Sequence, residues 1–214
     1  MTEDVLNRLK EAVTNYDVDG AVKAAQEVIK TGFDPLRAIE EGLADGLKVI
    51  GDKFGSGEIF LPMLMISAEA TKKALAILEP AVAEGKSRKV LGKVVIGTVE
   101  GDIHDIGKSI VAAMLTANGF EVHDIGCDVP TSTFIEKVKE VDPDIIGMSA
   151  LLTTTMPKMT ELINTLKKGG LREKVKVIVG GAPVSAAWAE QIGADAYGED
   201  AMAAVDVTKK LLGK

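Results

Sequence analysis

The chain has 214 residues, of which 46% are hydrophobic and 27% are charged. This balance is typical of globular proteins and excludes a largely disordered chain, and the length is sufficient for one large domain or two modest ones. The formal net charge of −7 argues against a nucleic-acid partner, because binding to phosphates requires a basic surface.

The first residues are acidic and amphipathic, unlike the basic and apolar start of a secretory signal. No apolar run approaches the roughly 20 residues that are needed to cross a bilayer. Cys127 is the single cysteine, so an internal disulfide is impossible, and its position near a strand end indicates a small apolar residue. We therefore expect a cytoplasmic protein that has no membrane partner.

Residues 1–80 are predicted to form a four-helix bundle that caps the rest of the chain. Apolar residues recur there every three or four positions, which is typical of helices whose apolar faces pack together. Polar, glycine or proline residues mark the predicted helix boundaries: Asp17 and Asp19, Asp34-Pro35, Gly55-Ser56-Gly57, and Pro62.

Residues 81–92 are predicted to be a linker, and residues 93–214 a doubly wound α/β domain. Five short apolar runs indicate a parallel sheet that is covered on both faces. The predicted strands are Lys93–Thr98, Glu121–Ile125, Asp144–Ser149, Val175–Val179 and Ala194–Tyr197. The predicted helices span residues 107–118, 131–140, 156–168, 184–191 and 200–212. A ligand site is expected beyond the carboxyl ends of the strands.

The loop after the first predicted strand contains His104, one of only two histidines. Asp102 could accept a hydrogen bond from one imidazole nitrogen and leave the other free to bind a metal. One histidine cannot complete a zinc site of protein ligands alone, which needs about four donors. A single protein ligand suits a metal that is already held by a macrocycle. The second histidine, His123, is interpreted as structural.

Two other interpretations of this loop remain open. Gly107-Lys108-Ser109 has the ending of a phosphate-binding loop, but five residues separate Gly101 from Gly107 where that motif has four. Alternatively, His104 is a solvated surface residue, which is the simplest explanation for an isolated histidine.

Residues 101–107 match the Asp-x-His-x-x-Gly signature, so this part of the chain resembles the flavodoxin-like cobalamin-binding domains. Two further motifs of that family follow in order, Ser149-Ala150-Leu151 after the third strand and Gly180-Gly181 after the fourth. The resemblance implies that His104 is the axial ligand of cobalt in cobalamin or a related corrinoid. It also implies that the nucleotide tail of the cofactor lies in a groove along the two later motifs.

The resemblance assigns cofactor-binding roles to residues in all of these loops. Asp102, His104 and Thr155 would form a hydrogen-bonded relay, in which Thr155 stands where cobalamin-dependent methionine synthase has a serine. No residue is expected to be catalytic by itself. The other implied contacts are Gly101, Ile103, Asp105, Gly107, Ser149, Leu151, Thr153, Gly180, Gly181 and Ala201.

Residues 54–62 are similar to the helical cap of methionine synthase and of the small corrinoid proteins of methyltransferase systems. The resemblance implies that Phe54 and Leu61 shield the upper face of the corrin, with Glu40 nearby. These two apolar residues could instead belong to the core of the bundle. For Phe60, a place in the core is the simpler interpretation.

The resemblance implies a corrinoid carrier that accepts a methyl group on Co(I) and releases it from methyl-Co(III). The two predicted domains include no substrate barrel, so separate partners are expected. These are a substrate-specific methyltransferase, an acceptor methyltransferase of the tetrahydrofolate or coenzyme M type, and a reductive activase. The donor could be a methylamine, methanol, a betaine or a methoxylated aromatic. A cobalamin-dependent sensor and a radical mutase subunit are the alternatives; the few residues before Asp17 argue against the first and the cap against the second.

Overall fold

A computed structural model describes residues 2–82 and 90–214 of the chain, with side chains from residue 4 onward. The chain divides into two compact units. The first contains Met1–Lys89 and Ala117–Gly119, and the second contains Val90–Thr116 and Phe120–Lys214. Of the predicted linker, residues 83–89 lie outside the described part of the chain.

The first unit is built from the four predicted helical segments. Two of these segments start at a side chain that accepts a backbone N–H group, since Asp17 accepts from Gly20 at 2.8 Å and Asp34 accepts from Leu36 at 3.0 Å. Among the described residues, none of the helices is both long and apolar enough to cross a bilayer. The helical elements are α1 Thr2–Thr14, α2 Val18–Thr31, α3 Pro35–Arg37, a π-helix Ala38–Ala44, α4 Asp45–Gly55, α5 Leu61–Leu78 and a 3-10 turn Glu79–Ala81.

The third segment runs from α3 through the π-helix into α4 without a break, and the sequence did not predict its π-helical part. Apolar spacing does not distinguish the wider π turn from an α turn. Gly42 in this turn packs closely on α1, where an added Cβ would lie 3.0 Å from Leu9 Cβ. Glu40 also belongs to the π-helix, which places it on an irregular turn.

The core of the first unit is formed by fully buried apolar residues that include Leu9, Val13 and Leu43. Phe60 is not part of this core, and its interpretation as a core residue was wrong, because its side chain is 74% exposed. The physical reason is local. Phe60 has an extended backbone conformation just before α5, outside the helical spacing that buries the apolar residues.

The second unit contains the predicted parallel five-stranded sheet, in the order β2-β1-β3-β4-β5, and the fold class is confirmed. The strands differ from the prediction by at most two residues at either end. They are β1 Lys93–Thr98, β2 Glu121–Asp124, β3 Ile145–Ser149, β4 Lys176–Gly180 and β5 Ala196–Gly198. The helices are α6 Ile106–Ala117, α7 Thr131–Val141, α8 Pro157–Lys168, α9 Ala186–Ile192 and α10 Ala201–Leu211.

The sheet is covered on both faces because its central strands are apolar along almost their whole length. Val95, Ile146 and Val177 are fully buried on three successive strands. Met159 and Ile163 of α8 are buried against them, as their helical spacing predicted. Cys127 lies in a bend three residues beyond the end of β2, near a strand end as predicted, and is exposed.

The strand order reverses at β1, which has β2 on one side and β3 on the other. In doubly wound sheets, ligands bind at this switch point, outside the carboxyl ends of the strands. Register places Thr98 opposite Ser149, Ser149 opposite Gly180, and Gly180 opposite Gly198. The predicted motifs after β1, β3 and β4 therefore meet at one edge of the sheet.

Candidate functional site

The loop between β1 and α6 contains a carboxylate with no exposure to solvent, that of Asp102. The loop is held to the turn after β2 by a bridge between Val99 and Val129 and by a 2.8 Å bond from Asp128 N to Asp102 O. A buried carboxylate is costly unless donors surround it. The donors around Asp102 therefore indicate which segments of the chain this carboxylate holds together.

Asp102 joins the loop after β1 to the loop after β3. Its Oδ1 lies 2.6 Å from His104 Nδ1 and accepts the His104 backbone N–H at 3.1 Å. Its Oδ2 accepts from the backbone of Leu151 at 2.7 Å and of Leu152 at 3.1 Å. The Thr155 hydroxyl is 2.8 Å from the same oxygen. The contacts of the predicted relay are thus present, and the carboxylate has further backbone partners that the sequence did not indicate.

The environment of Asp102 keeps its carboxyl group ionised. Burial by itself raises the pKa of Asp102, but the hydrogen bonds from His104, Leu151 and Thr155 outweigh burial and hold that pKa well below its usual range. An ionised carboxylate can only accept hydrogen bonds. Nδ1 of His104 therefore donates its N–H to Asp102, which directs Nε2, the nitrogen that remains for a metal, away from the carboxylate.

His104 is held on its backbone as well as on its ring. The Thr98 hydroxyl, at the end of β1, donates to the His104 carbonyl at 2.9 Å. The imidazole remains accessible, since 46% of the side chain is exposed. An orientated imidazole with one hydrogen-bonded nitrogen and one free nitrogen is the arrangement in which histidine binds metals.

Four exposed apolar residues lie in the two loops that Asp102 joins. Ile103 and Ile106 flank His104 in the chain and are 74% exposed, and Leu151 and Leu152 are 42% exposed. Exposed apolar side chains on loops suit a flat apolar ligand. The sequence analysis named Ile103 and Leu151 as cofactor contacts but not Ile106 and Leu152. Apolar residues in an otherwise polar loop could have identified the other two.

Small residues form a row across the next three strand ends. Ser149, Gly180 and Gly198 are paired in register, so the row from β3 to β5 has no side chain longer than that of serine. Packing within the chain accounts for both glycines, since an added Cβ would lie 3.0 Å from Gly198 O at Gly180 and 3.0 Å from Ala204 Cβ at Gly198. The groove for the nucleotide tail therefore stays a prediction.

Gly181 is also required by the fold itself. Its φ is +116°, and an added Cβ would lie 1.9 Å from the carbonyl oxygen of Ala150. The glycine is therefore required by the close approach of the chain to the loop after β3, whether or not a ligand is bound. Gly107, in contrast, has nothing within 4 Å of an added Cβ, so chain packing does not explain a glycine there.

The remaining predicted contacts lie at the carboxyl edge of the sheet or in the other unit. Gly101 and Asp105 flank the pair of Asp102 and His104, Thr153 is exposed in the loop after β3, and Ala201 begins α10 after β5. In the first unit, Phe54 near the end of α4 and Leu61 at the start of α5 are half-buried, as is Glu40. His123 Nε2 lies 2.7 Å from Glu121 Oε1 on β2.

These residues fit a metal that arrives in an apolar macrocycle. The donor is a single imidazole that is hydrogen-bonded through Nδ1, and the loops around it expose apolar side chains. The polar edge of the site is provided by Asp102 and Thr155, which are already engaged with each other.

Comparison with known proteins identifies two matched regions. Residues 92–206 match the family described as B12 binding domain, and residues 5–79 match a second family with the same description. Together these matches include both predicted domains.

Three relatives illustrate the similarity along the whole chain. A trimethylamine corrinoid protein from Methanosarcina barkeri is 47% identical, over 98% of this chain and 97% of its own length. A dimethylamine corrinoid protein from Methanosarcina mazei is 51% identical, also over 98% and 97%. The crystal structure of the methanol:cobalamin methyltransferase complex from Methanosarcina barkeri matches with a TM-score of 0.88 and 32% identity, over 98% of this chain and 80% of that chain.

Proposed function

The chain belongs to the B12-binding family of corrinoid proteins, and from that premise we propose that it carries a methyl group between two methyltransferases. Its cofactor is a corrinoid. The observation that best supports the proposal is the His104 imidazole, whose Nδ1 lies 2.6 Å from a buried oxygen of Asp102 and whose Nε2 makes no hydrogen bond within the described part of the chain. When bound, the corrinoid supplies a nucleophilic Co(I) that takes up a methyl group and a methyl-Co(III) that releases it.

His104 is the proposed axial ligand, and Asp102 is the group that adjusts its strength as a donor. A carboxylate that accepts the Nδ1 proton makes Nε2 more basic, which strengthens a bond to an electron-poor metal. Uptake of a further proton by the pair of Asp102 and His104 would in turn weaken that bond when the metal becomes electron-rich. Thr155 and the backbone of Leu151 hold the carboxylate in place during this change.

The row of small residues at Ser149, Gly180 and Gly198 is the proposed site of the nucleotide tail. Binding of the tail there would fix the corrinoid independently of the axial bond. The carrier could then lengthen or break the bond to His104 without losing its cofactor.

In the first unit, we propose that Phe54 and Leu61 shield the reactive face of the corrinoid, with Glu40 close to it. Phe60 adds an exposed aromatic side chain between them in sequence. A shielded methyl group is protected from water but is inaccessible to a partner. We therefore propose that a methyltransferase gains access by displacing these side chains, as in other gated sites.

The proposed donors are methylamines. The trimethylamine and dimethylamine corrinoid proteins are 47% and 51% identical to this chain, whereas the structure of the methanol system is 32% identical. The proposed partners are a substrate-specific methylamine methyltransferase, an acceptor methyltransferase of the tetrahydrofolate or coenzyme M type, and a reductive activase. A sensor or regulatory module is the alternative, and methyl transfer distinguishes the two.

The experiment follows the absorption spectrum of the reduced holoprotein with trimethylamine, dimethylamine or methanol. Each donor is added alone, then with its purified methyltransferase, then with the acceptor enzyme. The proposal predicts no multiple turnover by the isolated protein, methylation only with a donor methyltransferase, and return to the reduced spectrum only with the acceptor enzyme. Rapid turnover by the isolated protein, or a bound adenosyl rather than methyl ligand, would contradict the carrier function.

A further inference from the structure

Lys108 is a buried ammonium group in the first turn of α6, four residues after His104. Its side chain is 1% exposed, although lysines are almost never buried without partners. Removal of a charge from water is unfavourable unless opposite charges compensate it. The partners of Lys108 therefore identify what this side chain holds together.

Lys108 connects the loop of His104 to the end of β2. Its Nζ lies 2.7 Å from Asp105 Oδ1 and contacts both carboxylate oxygens of Asp124. Asp124 also accepts the backbone N–H of Gly126 at 2.9 Å, so it is fixed to the turn that follows β2. One ammonium group thus joins the residue directly after His104 to a strand end of the sheet.

The same turn holds the loop at a second point. Asp128 has a φ of +53°, which is unusual for a residue other than glycine, and its Oδ1 accepts the Gly101 N–H at 2.7 Å. Backbone strain of this kind persists only where the surroundings require it. The loop of residues 101–107 is therefore held at two points. Asp128, in the turn after β2, binds Gly101, and Asp124, at the end of β2, holds Asp105 through Lys108.

We propose that Lys108 is a positioning residue for His104, which acts by fixing Asp105 against Asp124. The inference rests on the proposed function of His104 as a metal ligand. Asp102 orients the imidazole ring, whereas Lys108 fixes the backbone that follows it. Without the ammonium group, the carboxylates of Asp105 and Asp124 would repel each other, and the loop would move away from β2.

The test compares full-length holoproteins of the wild type, Lys108→Met and the control Lys137→Met, which removes a lysine from an ion pair with Glu140 on α7. Corrinoid affinity is measured by equilibrium binding. Histidine ligation is measured from the nitrogen hyperfine coupling in the electron paramagnetic resonance spectrum of the Co(II) form. We expect Lys108→Met to weaken binding about tenfold and to lower the histidine-ligated fraction, because outer partners of metal ligands have effects of this size. The control should match the wild type.

A double variant, Lys108→Met with Asp124→Asn, separates positioning from folding. It removes both charges but keeps an oxygen that can accept from Gly126, so it should unfold at a denaturant concentration near that of the wild type. Asp105 loses its ammonium partner and keeps, among the described side chains, only the Ser109 hydroxyl of α6 at 3.0 Å, so the histidine-ligated fraction should stay low. Wild-type affinity and hyperfine coupling in either folded variant would overturn the inference. A wild-type spectrum without histidine coupling would instead contradict the proposed function itself.

Discussion

The substitution Asp102→Asn tests the central hydrogen-bond network, because it changes one buried oxygen into an NH2 group with almost no change in shape. In one orientation the amide nitrogen faces the backbone N–H groups of Leu151 and Leu152. In the other it faces the backbone N–H of His104. In either orientation, the new NH2 group faces at least one backbone N–H donor without an acceptor between them. The hydrogen bonds that remain are no longer made to a charged group.

The expected loss in the free energy of unfolding of the second unit is about 3 kcal/mol. A hydrogen bond to a charged group contributes about 1.5 to 3 kcal/mol, and the surviving bonds lose their charge-assisted part. The orientation that faces His104 would also donate to Nδ1 and move the ring proton to Nε2. The variant should therefore bind the metal less well through His104.

The assay is unfolding in urea of protein prepared without corrinoid, followed by tryptophan fluorescence. Trp188, the single tryptophan, packs against the core of the second unit and reports on the unit that contains Asp102. The control is Asp142→Asn, because Asp142 is exposed and has a left-handed backbone conformation that asparagine tolerates. A loss at Asp102 as small as that of the control, below about 0.5 kcal/mol, would refute the reasoning.

The difference between the wild type and Asp102→Asn should also depend on pH. The pKa of Asp102 is lowered in the folded protein, so its stabilising contribution is fully present above the unfolded value of about 4 and is lost as the pH falls through the folded value. The two proteins should therefore differ by a constant amount above about pH 5 and converge at lower pH. A difference that is constant across the acid range would contradict the assignment.

Three further substitutions test individual residues. Gly181→Ala should destabilise the second unit by more than about 2 kcal/mol even without corrinoid, because its Cβ would lie 1.9 Å from Ala150 O. Unaltered unfolding in urea would show that this close approach is unimportant. Thr155→Val should lower the free energy of unfolding by about 1 to 2 kcal/mol, less than Asp102→Asn, since it removes a single donor to the carboxylate. A larger loss than that of Asp102→Asn in the same assay would contradict this order. Phe60→Ala should change the free energy of unfolding of the first unit by less than about 0.5 kcal/mol, because the ring is exposed. A loss as large as that from truncating a buried aromatic residue, measured by circular dichroism melts, would contradict the exposed position of Phe60.

The sequence predicted the sheet well because its strands are apolar runs of the length that a buried parallel strand requires. The predicted ends of β1 at Thr98 and of β3 at Ser149 are the ends that the structure has. The signature around His104 was readable because its residues are consecutive. Strand order and register could not be read locally, since they depend on contacts between distant strands.

The sequence failed where a long-range approach decides a residue's role. The π-helix over Ala38–Ala44 follows from packing that includes Gly42 against Leu9, which apolar spacing does not reveal. The close approach of Gly181 to the carbonyl of Ala150 is likewise a contact that the sequence does not show. Lys108 was considered only as part of a phosphate-binding motif, because its partner Asp124 is 16 residues away.

The most direct test of cobalt ligation uses protein in which histidine alone is labelled with the heavier stable isotope of nitrogen. The Co(II) holoprotein is then examined by electron paramagnetic resonance. Only His104 and His123 are labelled, whereas the nitrogens of the corrinoid are not. The account predicts that the axial hyperfine pattern changes from a triplet to a doublet in the wild type and in His123→Ala, and that His104→Ala lacks the labelled coupling. An unlabelled triplet in the wild type, or a labelled doublet that survives in His104→Ala, would contradict it.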